Sequence, residues 1–302
     1  MPANAGGRGN PVIWVGVGFS LSNYSISCYA FVIMSFYPLR YLPTGHVFID
    51  PEDDCDKVVD SLLAANYDEE FCLARDFEED FISRLMEAGF LIMSTELKDD
   101  GSEEKNEKNS SGSGFHKPSE RKQESGYPSD SGYPEDSFFI LLPKLHLKRS
   151  ALFFPELHIK RSIRPFLSRY ELRVDTDFDF ILDKCIHIHG ADWLTPPLVE
   201  ILKNMRRRAD LRTKPVSFGV YRDGELKAGE IGVAVGRVYT SYSGYYEEDN
   251  AGTVQMILMA GWLEEKGFDF LDLGMPLDYK TFLGARDITP GSFVGLFRAG
   301  RR

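Results

Sequence analysis

The sequence predicts an α+β fold: a mixed, mainly antiparallel sheet with flanking helices, plus a small N-terminal α/β domain. Three observations carry this. Residues 215–246 hold three strand-like runs joined by two tight turns. A mostly apolar helical body follows from Thr253, T-V-Q-M-I-L-M-A-G-W-L-E-E-K, and then another apolar run, Phe268 to Leu273. Upstream, residues 35–95 instead mix short apolar runs with two stretches of helical apolar spacing.

Composition bounds the possibilities. A chain of 302 residues is two ordinary domains or one large one, and 43% hydrophobic residues suffice for a sizeable core. The net charge of −11 argues against a nucleic-acid coat over the whole surface. A local basic face is still compatible, because the acids crowd residues 50–136 while 144–214 is rich in Lys and Arg. Cys28, Cys55, Cys72 and Cys185 form no C-x-x-C pair, so zinc or thioredoxin-like chemistry gets no support, and reduced, mostly buried thiols are expected. His187 and His189 stand two apart, a poor metal clamp on a helix. No metal and no cofactor is expected.

In chain order, residues 1–10 are Gly-rich, and Pro11 to Met34 runs without a charge but with a polar middle (Ser20, Ser22, Asn23, Ser25, Ser27). Three readings compete: a weak membrane or signal segment, a sticky extension, or a true start at Met34, which is favoured. Residues 1–33 are thus expected to be disordered or wrongly assigned to the chain. Residues 34–97 form the small N-terminal domain. Gly45 to Ile49 reads as a strand, Asp56 to Ala65 and Glu78 to Ala88 as helices, Gly89 as a helix stop, and Phe90 to Met93 as a strand. Residues 98–136 are rich in Ser, Gly, Glu and Lys, with S-G-Y-P twice, and are expected to be a disordered insertion. The repeated Tyr-Pro reads as linker or as a short recognition site.

Residues 137–302 form the second domain. S-F-F-I-L-L from Ser137 opens it as a buried strand. A basic segment follows, with Lys144, His146, Lys148, Arg149, His158, Lys160, Arg161, Arg164 and Arg169. Cations interleaved with aromatics suit a phosphate backbone or, equally, a solvated basic face. Helices are expected from Thr176-Asp177 and from Thr195-Pro196-Pro197, where a cap precedes proline at the first helical position. The Asp223-Gly224 turn then joins two strands, Pro215 to Tyr221 and Leu226 to Val235. A third strand, Arg237 to Tyr246, is dense in hydroxyls.

This order resembles the acetyltransferase-like (GNAT-type) fold. A pyrophosphate-bearing acyl carrier would need free N–H groups at the next helix N-terminus. Glu247, Glu248 and Asp249 stand there and would repel it, which argues against coenzyme A.

From about Phe138 to Phe297 the chain also resembles the leucyl/phenylalanyl-tRNA–protein transferases. The family's H-I-S-R-S is similar to His158-Ile159-Lys160-Arg161-Ser162, and its Thr-Trp-Ile element to Asp192-Trp193-Leu194. Its D-x-L-x-G-G-x-x-G-V-A-x-G hairpin resembles Asp223 to Gly236, and its G-E-S-M-F-S strand falls without a gap on Ser241 to Tyr246. Its N-A-S-K continues as Asn250 to Thr253, and its D-x-Q, D-H and S-L-G-A fall on Asp272 to Gly274, Asp278-Tyr279 and Phe282 to Ala285. The chain departs from the pattern where the family's acid falls on Tyr242, its glutamine on Gly274, its histidine on Tyr279 and its H-S-x-E glutamate on Gly219.

The resemblance implies transfer of an apolar amino acid, Leu or Phe, from aminoacyl-tRNA to the N-terminal amine of an acceptor protein, marking it for degradation. It implies a cytoplasmic enzyme away from membranes, expected to be a monomer. The alternatives are a related transferase with another acceptor and a non-catalytic tRNA or peptide binder. Asp272, Tyr242, Ser243 and Glu230 are the expected catalytic residues. Tyr245, Asn250, Asp278, Tyr239, Phe139 and Phe154 are the expected substrate contacts, and Lys144, His158, Lys160, Arg161 and Arg164 the tRNA contacts. If Val235 pairs with Val238, then Glu230 pairs with Ser243 and Ile231 with Tyr242. Glu230 then either faces outward or, by a bulge or one-residue slip, replaces the missing acid beside Tyr242.

Overall fold

The computed structural model describes residues 37–97 and 138–302. The expectations for the N-terminal extension and for the insertion lie outside these residues. Two short strands, β1 (Arg40–Tyr41) and β2 (Val47–Phe48), pair antiparallel and precede helices α1 (Cys55–Ala64) and α2 (Glu79–Glu87). Asp54 caps α1 by accepting from the Lys57 N–H at 3.2 Å. Gly89, at φ +103°, ends α2 in the left-handed conformation that glycine tolerates. Strand β3 (Leu91–Leu97) then pairs with β4 (Phe138–Lys144) along seven positions, from Leu91 opposite Lys144 to Leu97 opposite Phe138. The expected boundary near residue 97 coincides with the end of β3.

The remaining elements are β5 (Arg149–Leu152), α3 (Arg164–Leu167), β6 (Glu171–Val174), α4 (Phe178–His189), α5 (Pro196–Met205), β7 (Thr213–Arg222), β8 (Glu225–Val235), β9 (Val238–Tyr246), α6 (Ala251–Glu265), β10 (Phe270–Asp272), α7 (Asp278–Phe282), β11 (Arg286–Ile288) and α8 (Pro290–Gly300). Among the described residues the largest sheet has seven strands, in the order β11-β5-β10-β9-β8-β7-β6. Its pairs are antiparallel except β10 beside β9, which is parallel. The molecule is thus a mixed α+β fold dominated by antiparallel pairing.

Local chemistry accounts for the turns. Asp223 and Gly224 both take positive φ, 55° and 83°, the pair of angles a two-residue hairpin needs. Helix α6 is apolar through most of its length, with its exposed residues, Gly261, Glu264 and Glu265, near its C-terminal end. It lies against one face of the sheet, with Val254, Met259, Ala260 and Leu263 fully buried. On the opposite side, one apolar cluster joins Val59, Phe81, Leu85 and Ile92 of the N-terminal elements to Ile181, Val233, Phe270 and Phe293. Residues 47–92 therefore share a core with the sheet.

Candidate active site

The first strand pair of interest is β8 with β9. Val235 pairs with Val238 as the turn predicts, but the register shifts between Ile231 and Gly232. Glu230 consequently lies opposite Gly244, and Ile231 opposite Ser243, with Tyr242 as the extra residue of a bulge. Tyr242 turns towards the N-terminal elements, where its hydroxyl accepts from the Ile92 N–H at 3.2 Å. Ser243 is buried beside Cys185 of α4. Neither lines the pocket described below, which corrects their expected catalytic placement. The bulge does not bring Glu230 to Tyr242 either.

Glu230 does not face outward. It is 3% exposed, under α6, where Gln255 Nε2 donates to its Oε2 at 3.3 Å. Among the described residues its Oε1 finds no hydrogen-bond partner, and neither does the adjacent buried Tyr239 hydroxyl. Burial pushes the Glu230 carboxyl up to about 7, against the pull of the nearby Ser241, Gln255 and Tyr239 groups and of the Lys280 charge. Glu230 and Ser241 open onto a pocket of about 410 Å³ walled by Tyr245, Tyr246, Asn250, Gln255, Met256, Leu277 and Tyr279, with His189 and Thr253 completing it. Asn250, at φ +70°, starts α6 at the pocket edge.

Behind the pocket, Lys280 Nζ is buried and donates to the carbonyls of Leu273 and Met275 at 2.5 and 2.8 Å. Burial draws its pKa down to about 8, while Asp272 and Glu230 hold it up. These bonds hold the chain leaving β10 over the pocket, where it supplies Leu277 and Tyr279.

Asp272 belongs to a different arrangement. It is fully buried and accepts from Arg149 Nε at 2.9 Å, Arg149 Nη2 at 2.6 Å, Thr240 Oγ1 at 2.9 Å and the Gly274 N–H at 3.1 Å. Arg149 also donates to the Gly89 carbonyl at 3.1 Å and lies 3.8 Å over the Phe293 ring. Burial alone would raise the Asp272 carboxyl, but the Arg149 charge and these hydrogen bonds hold it below the usual carboxylate range. Its oxygens are taken up by these four bonds, and Asp272, expected to be catalytic, does not line the Glu230 pocket. Arg149, one of the basic run, is an interior residue and not part of a basic face.

Gly274 takes φ +68°, and a Cβ there would stand 3.4 Å from Nε2 of the buried His146. Burial, with the charges of Arg149 and Lys144, pushes the His146 ring down to about 3, so it is neutral. The position on which the family's glutamine falls thus takes, in this chain, a left-handed backbone conformation that glycine tolerates.

The other expected contacts divide. Tyr245 and Asn250 line the pocket. Tyr239 lies behind its floor, packed edge-on against Phe218 in the core. Phe154 is core, Phe139 lies on β4 away from the pocket lining, and Asp278 is exposed at the start of α7. Lys144 is 8% exposed and paired with Glu70 at 2.7 Å, which removes it from a tRNA surface. His158, Lys160, Arg161 and Arg164 are exposed along one segment, with Lys160 Nζ 4.7 Å over the exposed Phe282 ring. Ser241, Gln255, Met256, Leu277 and Tyr279 were missed. The one legible signal was Gln255, a polar residue set between the apolar Val254 and Met256 in the body of α6.

The carboxylates before α6 are partly neutralised. Glu247 pairs with Lys184 at 2.8 Å and Glu248 with Arg222 at 2.5 Å, so their repulsion of a phosphate is weaker than their number suggests. Among the described residues no group of three His, Cys, Asp or Glu is placed to hold a metal ion, and no helix is long and apolar enough to cross a membrane.

Comparison with known proteins adds the following. The family model described as leucyl/phenylalanyl-tRNA protein transferase matches residues 151–298. The leucyl/phenylalanyl-tRNA–protein transferase of Pseudomonas putida (strain W619) is 34% identical over 129 residues, 42% of this chain and 55% of that protein. That of Pseudomonas entomophila (strain L48) is 31% identical over 128 residues, 41% and 55%. The chain therefore spans little more than half the length of the curated relatives it matches. Among solved structures, the C-terminal domain of a putative lysylphosphatidylglycerol synthetase from Agrobacterium fabrum aligns over 86% of this chain and 87% of its own, at 11% identity and a TM-score of 0.37. Through residues 151–298, the chain is similar to the leucyl/phenylalanyl-tRNA protein transferases.

Proposed function

We propose that the chain is an aminoacyl-tRNA–protein transferase. The amine at a protein's N-terminus attacks the ester carbonyl of an aminoacyl-tRNA, a peptide bond forms, and the tRNA leaves with its hydroxyl restored. The observation that carries this reading is that the family match, residues 151–298, includes every residue lining the Glu230 pocket. The relatives' names supply the donor class, an apolar leucyl or phenylalanyl group. The same reading makes the acceptor a substrate marked for degradation by its new N-terminal residue, and the enzyme a cytoplasmic monomer. The parallel β9–β10 pair, joined through α6, supports an acetyltransferase-like sheet.

The ester is already activated, so the site has mainly to hold two substrates in attack geometry. An N-terminal amine titrates near 7.7–8.0, so at neutral pH roughly a tenth or more of it is unprotonated and no dedicated base is required. Ser241, Tyr245 and Asn250 are the pocket donors suited to the developing oxyanion. His158, Lys160, Arg161 and Arg164 are the exposed cations suited to tRNA phosphates.

The test is incubation of the chain with labelled leucyl- or phenylalanyl-tRNA and a peptide beginning with Arg or Lys. Labelled peptide is expected. Binding of either substrate without transfer would replace this reading with the non-catalytic binder, for which the missing family acid and glutamine are the motive.

A further inference from the structure

The segment that walls the pocket from outside is built inside out. Between Gly274 and Leu283 the one buried residue is Lys280, while Met275, Leu277, Tyr279 and Phe282 are 42–60% exposed. Globular chains ordinarily bury the second kind of side chain and expose the first. Both ends of the segment are fixed. The Leu273 N–H donates to the Ser150 carbonyl at 2.9 Å, and the Leu283 carbonyl accepts from the His158 N–H at 2.9 Å. Beside these fixed points Gly274 and Gly284 take φ +68° and +97°. Leu277 and Tyr279, between them, line the Glu230 pocket.

Lys280 ties the segment down. Its Nζ, on a side chain 6% exposed, donates to the Leu273 and Met275 carbonyls at 2.5 and 2.8 Å and forms no ion pair among the described residues. The groups around it are Asp272 of β10 and Glu230 of β8, whose charges favour the ammonium, the neutral His146 ring before β5, and Tyr279, with its ring centre 5.7 Å from Nζ. Asp272 is already committed to Arg149. The closed segment therefore buries an ammonium against two carbonyls and no paired acid, which is costly. Opening returns that ammonium to water and uncovers little apolar surface, because the apolar side chains are exposed already.

We propose that residues 275–282 form a lid over the Glu230 pocket, latched by the two carbonyl bonds of Lys280 and opening between its fixed ends to admit a ligand. This rests on the transferase reading only for which ligand passes.

Burial draws Lys280 down to about 8 in the closed lid, against 10.5 for a lysine in water. The open lid thus holds the proton more tightly. Opening is most favourable below about pH 8 and becomes less so as pH rises towards 10.5.

The test is hydrogen exchange of the Leu283 and Ala285 amides, which donate to the Lys280 carbonyl at 3.1 and 3.0 Å, in the full chain without substrate. Corrected for intrinsic rates, opening is expected to fall about tenfold from pH 7 to pH 9. The fall should persist in Glu230→Gln, which removes the neighbouring acid as its source, and vanish in Lys280→Met, which takes up no proton. Lys280→Arg, charged at both pH values, gives the same flat profile should the Met variant fail to fold. Opening that is independent of pH in the unsubstituted chain, or that changes equally in Lys280→Met and Lys280→Arg, overturns the proposal. Leucyl-tRNA at about ten times its Kd should then slow exchange of the same amides about tenfold, as for a ligand held by the closed lid. Bound leucyl-tRNA that leaves them unchanged also overturns it. Absence of both tRNA binding and transfer defeats the transferase reading, and the pH comparison still decides the lid.

Discussion

Asp272 and Glu230 are both buried carboxylates of one sheet, on β10 and β8 with β9 between them, and they are treated oppositely. Asp272 accepts four hydrogen bonds, two of them from Arg149, and is held ionised. Glu230 has one bond from Gln255 at 3.3 Å, an oxygen with no hydrogen-bond partner among the described residues, and a pocket in front of it. A fully satisfied buried acid is a structural tie, because nothing is left over to meet a substrate. An unsatisfied one stores a cost that a ligand can remove. Burial alone does not distinguish the two; the count of partners does.

Four predictions bear on this contrast. The largest effect is expected from Arg149→Met, which leaves Asp272 charged and unpaired. Breaking one side of a buried pair costs about 3–5 kcal/mol, read as a lowered denaturation midpoint. A loss under about 1 kcal/mol would mean that Asp272 does not depend on Arg149.

The second concerns Glu230→Gln. The folded carboxyl titrates at about 7 and the unfolded one near 4.5. Between these values the native state holds a proton that the unfolded state has released, so this group makes stability fall as pH rises through the window. The Gln variant should gain stability over the unsubstituted chain by about 2–3 kcal/mol at pH 8 and little at pH 4. Parallel stability curves for the two proteins from pH 4 to 8 would show that Glu230 is not held neutral by burial.

The third is smaller. Tyr242→Phe removes the acceptor of the Ile92 N–H and should cost about 1 kcal/mol while changing the transfer rate less than about twofold. A large rate loss at unchanged stability would return Tyr242 to the catalytic machinery. The smallest stability effect is expected at the surface. Arg161→Ala and Arg164→Ala should change stability by no more than about 0.5 kcal/mol, yet each should weaken tRNA binding and reduce its salt dependence by about one ion. Unchanged binding in both would remove that segment from the tRNA surface.

The sequence by itself determined the meander, its two turns, the long apolar helix and the returning strand. Each depends on neighbours in the chain: Asp223-Gly224 has to turn, and the apolar body of α6 has to be covered. The motif order likewise carried the resemblance to the leucyl/phenylalanyl-tRNA–protein transferases before any coordinates, because it is a property of sequence. Short strands such as β5, β6 and β11 were not legible, since runs of three or four residues take their structure from a partner strand and carry little periodicity of their own. The site depended on tertiary structure for a related reason. One extra residue in β9 decides which side chains share a face, and hydroxyl density along the strand says nothing about where that residue lies. Whether an acid is a tie or a site was decided by Arg149, 123 residues away from Asp272 in the chain, and by Gln255, 25 residues from Glu230. Only folding sets those distances.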